Sequence, residues 1–274
     1  MRRGWKIFWI VCGAALALGL VCCAIAFGMG VTTGMIHDRF PYGIGWHNDE
    51  WESSKEDSGR TAENIHKTFD KVTEIDMEIF AGQVRFQEGE GSKIRVDTDN
   101  LSQKLGFRCY QEGSELKLTS KKKIYGVNNV GRGRITVTLP REMTFKEVSL
   151  NLGAGTLYID NIYTKDLEVG VGAGEAIVEG FQADEAEFNC GAGSIAARGD
   201  IRSQADLKCG VGSITYTASG QEEEYNYDIE CGIGEIICGD NSYSGLGREQ
   251  SIDNGAAKEI KIEGGVGSVI IGFE

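Results

Sequence analysis

One stretch of the chain carries charge against the trend of the rest. Between Leu101 and Arg134, the bases Lys104, Arg108, Lys117, Lys121, Lys122, Lys123, Arg132 and Arg134 face only Glu112 and Glu115, a balance of +8 − 2 = +6 in a chain of net charge −13. Lysine and arginine at this density bind anions, and near an anionic surface each adds about 1 kcal/mol. The eight are therefore candidate contacts for a cell-wall polymer, another anionic glycan or a lipid headgroup, with Lys121, Lys122 and Lys123 at the centre. The competing reading is a solvated hairpin whose charges pair with acidic segments beside it. A net charge of −13 also argues against a nucleic-acid binder, which needs a basic face to release counterions from phosphate.

Other reactive residues point away from catalysis. The three histidines are His37, His47 and His66, so the sequence after His66 can form neither a histidine-based triad nor a histidine-ligated zinc site. Carboxylates such as Glu168, Glu175, Glu187 and Glu235 alternate with apolar residues, as a solvated strand face requires. No enzyme activity, cofactor or metal is expected. Of eight cysteines, Cys12, Cys22 and Cys23 lie in an apolar N-terminal run, leaving Cys109, Cys190, Cys209, Cys231 and Cys238. Cys190, Cys209 and Cys231 each precede a Gly-x-Gly step and should stack inward as a ladder about 4.8 Å apart, acting as small buried hydrophobes. A Cys231–Cys238 disulfide is conceivable, although five is an odd number for a framework.

The elements that must position these residues are set by a repeat. Gly153-Ala154-Gly155, Gly172-Ala173-Gly174, Gly191-Ala192-Gly193 and Gly210-Val211-Gly212 recur every 19 residues. Looser copies stand at Gly232-Ile233-Gly234 and Gly265-Val266-Gly267, and Phe80-Ala81-Gly82 has lost its first glycine. This period suits one coil of a β-solenoid, whose units bury an apolar face only by stacking. Leu167, Val169, Val171 and Ala173 read as inward residues. The parity then slips before Ala176 and Val178, again before Phe181 and Ala183, and a third time before Ala186. Each slip marks a bend, so the coil is read as three-sided. Matching inward sets are Ala186, Phe188, Cys190 and Ala192, then Ala205, Leu207, Cys209 and Val211. An aspartate at Leu207 should unfold the stack, whereas one at outward Lys208 should be nearly silent. The glycines serve the first bend, through backbone angles or close approach. A phosphate-cradling loop is rejected, because the third-glycine spacing is wrong and no helix pattern follows.

The remaining chain divides around this array. Ile7 to Ile36 holds no charge in thirty positions, more than the roughly 20 a membrane-crossing helix needs. Arg2, Arg3 and Lys6 precede it, which puts residues 1–6 in the cytoplasm, residues 7–36 in the membrane and the rest outside the cell. A signal peptide cleaved near Ala24-Ile25-Ala26 is the competitor. Residues 37–67 read as a flexible linker, with Trp46, His47 and Trp51 as an alternative metal or membrane-interface site. Residues 68–274 read as the solenoid, with an insertion at about 87–140 made of strand-like pieces and a turn at Glu112-Gly113-Ser114. Later units are spaced 22 and 33 residues apart, so the loops 220–224 and 240–254 are expected to bulge from the coil.

Thr68-Phe-Asp-Lys-Val-Thr-Glu-Ile-Asp-Met-Glu-Ile opening the domain, Ile135-Thr-Val-Thr-Leu-Pro, and the tandem Gly-x-Gly units together resemble the bacterial putative-adhesin family of domain-of-unknown-function proteins. That family includes the membrane-anchored member of the Lia envelope-stress operon. The resemblance covers residues 66–274 and implies an all-β, single-stranded β-solenoid at the cell surface with no catalytic residues to carry over. The expected protein is thus a single-pass, extracytoplasmic binding or structural module of the adhesin type. An envelope-stress accessory acting through membrane partners is the alternative, and a polysaccharide-active β-helix enzyme ranks below both.

Overall fold

The computed structural model describes residues 61–121, 132–239, 241–244 and 247–274. The apolar run at 7–36, the linker up to residue 60, and Lys122 and Lys123 lie outside them. Among the described residues no helix is long and apolar enough to cross a membrane.

Long strands bend around a common axis and stack in parallel. β2 (Glu74–Gly89) pairs with β7 (Thr144–Ile159), β7 with β8 (Ile162–Cys190), and β8 with β9 (Ser194–Cys209), which lies beside β10 (Ser213–Ala218). The 19-residue repeat becomes register, with Leu150 opposite Val169 and Phe188 opposite Leu207. Burial follows the inward sets through all three slips: Ala176, Val178, Phe181, Ala183 and Ala186 are all buried. The pairing of β8 with β9 shifts between Val178 and Phe181 and between Ala183 and Glu185, where the bends were expected.

One assignment is corrected. The middle residues of the later Gly-x-Gly steps point outward: Ala173 and Ala192 are exposed, and Val211 is 67% exposed. Strand alternation stops at the first glycine because the chain turns there. Most of these glycines are required by proximity, not by unusual angles. A Cβ at Gly172 would sit 2.6 Å from the carbonyl oxygen of Gly153, and one at Gly191 would sit 2.6 Å from that of Gly172. Each corner thus presses a carbonyl into the space its neighbour leaves vacant.

Chain order and stacking order part company at both ends. The segment read as an insertion is itself a rung: β5 (Glu115–Thr119) and β6 (Arg134–Pro140) both run parallel to β2 on its free side. Antiparallel strands cover that rung, β4 (Arg108–Glu112) on β5 and β3 (Ile94–Asp99) on β6, with β1 (His66–Phe69) outermost. The fold therefore reaches back into the expected linker, and His66 bonds Asp97 at 2.9 Å instead of standing in a tether. At the other end, β11 (Tyr225–Cys231) and β12 (Glu235–Cys238) skip a place. The final segments β15 (Lys258–Gly264) and β16 (Ser268–Phe273) return and insert between them and the β9–β10 coil. Where a bulging loop was expected, β13 (Asn241–Ser244) and β14 (Arg248–Ile252) cap the stack antiparallel. Antiparallel covers at both ends blunt the parallel edges that would otherwise template aggregation. The crossover at 219–224 is fastened from inside, because Tyr225 donates to the Ser219 carbonyl at 2.6 Å and Tyr227 to the Glu222 carbonyl at 2.7 Å.

Candidate functional site

The basic residues are gathered at the end of the solenoid that carries β4, β5 and β6. Their hub is the loop from Asn100 to Phe107, which buries Leu101 and Leu105 in the core. Lys104 lies in a short turn at Gln103–Leu105, and its amide donates to the Ser102 hydroxyl. The Lys121 amide donates to the Leu105 carbonyl at 3.0 Å, and its aliphatic stem lies over Gly106. Arg108 is exposed on β4. Arg132 and Arg134 flank Gly133, whose φ of +91° and lack of a side chain let the strand start press against Asn100.

Lys117 does not belong with the others. Its ammonium lies 3.2 Å from Glu115 and 3.8 Å from both Asp76 and Glu112. The Glu115 hydrogen bond leads in raising its pKa. For this residue the pairing alternative holds: it is an internal counter-charge. Lys104, Arg108, Lys121, Arg132 and Arg134 have no carboxylate within ion-pairing distance among the described residues. Lys122 and Lys123 fall outside the described residues.

Next to this end begins an acidic face. Outward positions of successive rungs bring Glu74, Glu147 and Asp166 into one column and Asp76, Ser149 and Glu168 into the next. A shallow open depression of about 210 Å³ is lined by Glu147, Asp166, Glu168, Glu185, Glu187 and Asp206, among others. Neighbours hold these carboxylates: Ser149 donates to Glu168 at 2.9 Å, and Lys208 and Asn189 donate to Glu187 at 2.7 and 3.1 Å. Burial, then the charge of Glu78, pushes the Asp76 carboxyl up. Among the described residues no three metal-ligating side chains converge. Lys208 is an outward position as expected, but an acid there would lose the Glu187 contact and stand opposite Glu263.

The cysteine ladder is half as expected. Cys190 and Cys209 are in register and their thiols interact, which leads in lowering the pKa of Cys190 and in raising that of Cys209. Cys231 does not continue the ladder, because inserted β15 places Gly264 between it and Cys209. No Cys231–Cys238 disulfide forms. Cys231 donates to the Gly234 carbonyl, and burial pushes the Cys238 thiol up to about 12.

A parallel, end-capped β-solenoid with a basic end and an acidic face defines a repeat architecture in which stacked rungs present extended surfaces. The chain belongs to the Toastrack DUF4097 family, whose model matches residues 72–236. No curated protein matches. Among solved structures, the chain is similar to one described as a putative cell adhesion protein from Clostridium sporogenes, at 15% identity and a TM-score of 0.41, over 77% of this chain and 99% of that one. A second, described as a putative adhesin from Bacteroides fragilis, shows 16% identity and a TM-score of 0.35, over 76% and 97% of the two chains. A third, described as a putative lipid-binding protein from Parabacteroides distasonis, shows 13% identity and a TM-score of 0.27, over 75% and 96%.

Proposed function

We propose that the protein is a single-pass, membrane-anchored extracytoplasmic module that uses the basic end of its solenoid to hold an anionic surface polymer. One observation carries this reading: five cations with no carboxylate partner among the described residues converge on one end of an otherwise acidic molecule. The adjoining acidic face repels polyanions, so the polymer is restricted to that end. The loop 100–107 carries Lys104 over a buried leucine pair and accepts the Lys121 amide at Leu105, which fixes the backbone of both before a ligand arrives.

A fragment spanning residues 52–274 tests this, through binding to purified anionic wall polymer and, separately, to phosphatidylglycerol vesicles at low salt. Replacing Lys104, Arg108 and Lys121 with glutamine should weaken binding by about tenfold or more, and added salt should erase the difference. A preference for polymer or for vesicles distinguishes the source of the anion. Absent binding by the parent, or unchanged binding by the triple variant, rules the site out.

A further inference from the structure

Among the described residues only two phenylalanine or tyrosine side chains are exposed, Phe80 and Tyr110, and both stand at the basic end. Strand register places them. On β4, Arg108 and Tyr110 are exposed on either side of buried Cys109, with Arg108 opposite Thr119 and Tyr110 opposite Lys117 on β5. On β2, Asp76 lies opposite Lys117 and Glu78 opposite Thr119, and Phe80 continues the same outward series. Tyr110, Thr119 and Phe80 therefore fall on one diagonal across three strands. Its ends are two strand spacings and four residues apart, about 10 Å by 13 Å, or about 16 Å in all. The Phe80 amide donates to the Ser120 hydroxyl at 2.8 Å, which sets this ring beside the start of Lys121. Arg108 and Lys121 border the diagonal on the side of the loop 100–107, where the Lys121 stem lies over Gly106. Acids border it as well: Asp76 and Glu78 on the inner side, and Glu112 at the far end of β4.

We propose that the ligand of the basic end is an acidic polysaccharide, whose sugar rings lie on Tyr110 and Phe80 while its anionic groups meet Arg108 and Lys121. This rests on the anion-binding reading above and narrows it to a chemical class. Cations alone would serve any polyanion. Exposed aromatic rings add a second requirement, because a sugar ring carries a face of C–H groups that an aromatic side chain covers, with hydroxyls left at its rim for polar neighbours. A polyanion without rings, such as a polyphosphate or an acidic polypeptide, leaves both aromatics unused. Shape argues in the same direction. A linear glycan can follow the diagonal from one ring to the other past the two cations and keep its charges on the side away from Asp76 and Glu78. An anionic bilayer is a plane, and laid on this surface it would press its headgroups against those acids and Glu112 too. Nor do the two aromatics form a patch that could enter a bilayer, since the charged and polar positions of β5 separate them.

The test uses the full chain in phosphatidylcholine nanodiscs, where headgroups add no net charge, and compares polygalacturonate, a polyanion of sugar rings, with poly-L-glutamate of matched length. The parent should bind polygalacturonate at least fivefold more tightly. F80A/Y110A should lose that preference, weakening polygalacturonate at least fivefold and poly-L-glutamate less than twofold, while melting as the parent does because both positions are exposed. F80Y/Y110F keeps both rings and should bind as the parent. K104Q/R108Q/K121Q should weaken both polymers. Equal affinity of the parent for the two polymers, or polygalacturonate binding that F80A/Y110A leaves intact, overturns the polysaccharide while the anion site stands. So does F80A/Y110A weakening binding to phosphatidylglycerol vesicles as much as to polygalacturonate, which would make the rings membrane contacts. Binding of neither polymer removes the anion-binding reading itself, and this inference with it.

Discussion

At the residue scale, the corner glycines are explained by where the neighbouring carbonyl lies. Gly172 faces the Gly153 oxygen at a distance no side chain can share, while Ala173, one residue on, faces solvent. Gly172→Ala should therefore cost about 1–3 kcal/mol through forced separation of two rungs. Ala173→Ser should stay within about 0.5 kcal/mol of the parent. Denaturant unfolding of the two variants checks this, and equal losses would mean the corner is not closely stacked. The corner also explains why hydrophobic alternation misled at these sites, because apolar Val211 and Val266 continue a strand pattern that geometrically ends one residue earlier.

At the element scale, the inserted rung is the consequential feature. β15 and β16 lie between two coils that precede them in the chain and bury Ile260, Ile262, Val269 and Ile271. Leu207 consequently packs against Phe188 and Ile262, with Ile229 one rung further away. Burying four such side chains is worth about 6–12 kcal/mol, comparable to the whole stability of a domain. Truncation after Gly255 should thus abolish cooperative thermal unfolding, because two faces are exposed at once. A rung at the end of a simple tandem stack would only lower the melting temperature. Circular dichroism melts separate the two outcomes.

At the scale of the whole molecule, polarity follows from the stacking. The end of the stack that carries β4, β5 and β6 holds the unpaired cations, and the rungs beyond it carry the acidic face. If the proposed anchor holds, protease added to intact cells or spheroplasts should digest the solenoid and leave a small protected N-terminal fragment. A soluble product beginning near Phe27 would instead show that the apolar run is removed.

The all-β class, the 19-residue coil and most of the inward residues could be read from residue order alone, because side-chain alternation and glycine spacing are local properties. Leu167, Val169, Val171, Phe188 and Leu207 announce themselves within a window of one coil, and Glu112-Gly113-Ser114 announces its turn. The stacking order was not legible in this way. Which rung touches which is decided by contacts between segments far apart in the chain, such as Ile262 with Leu207 and Leu118 with Met77. Spacings of 22 and 33 residues look like bulging loops until the return of β15 is known. The basic stretch was visible as composition, yet only packing separated Lys117, neutralised by three carboxylates, from cations left without a partner. Val211 was visible only as a hydrophobic residue assigned to the core. Its exposure depends on a turn in the chain, a property of three-dimensional contact that local periodicity does not encode.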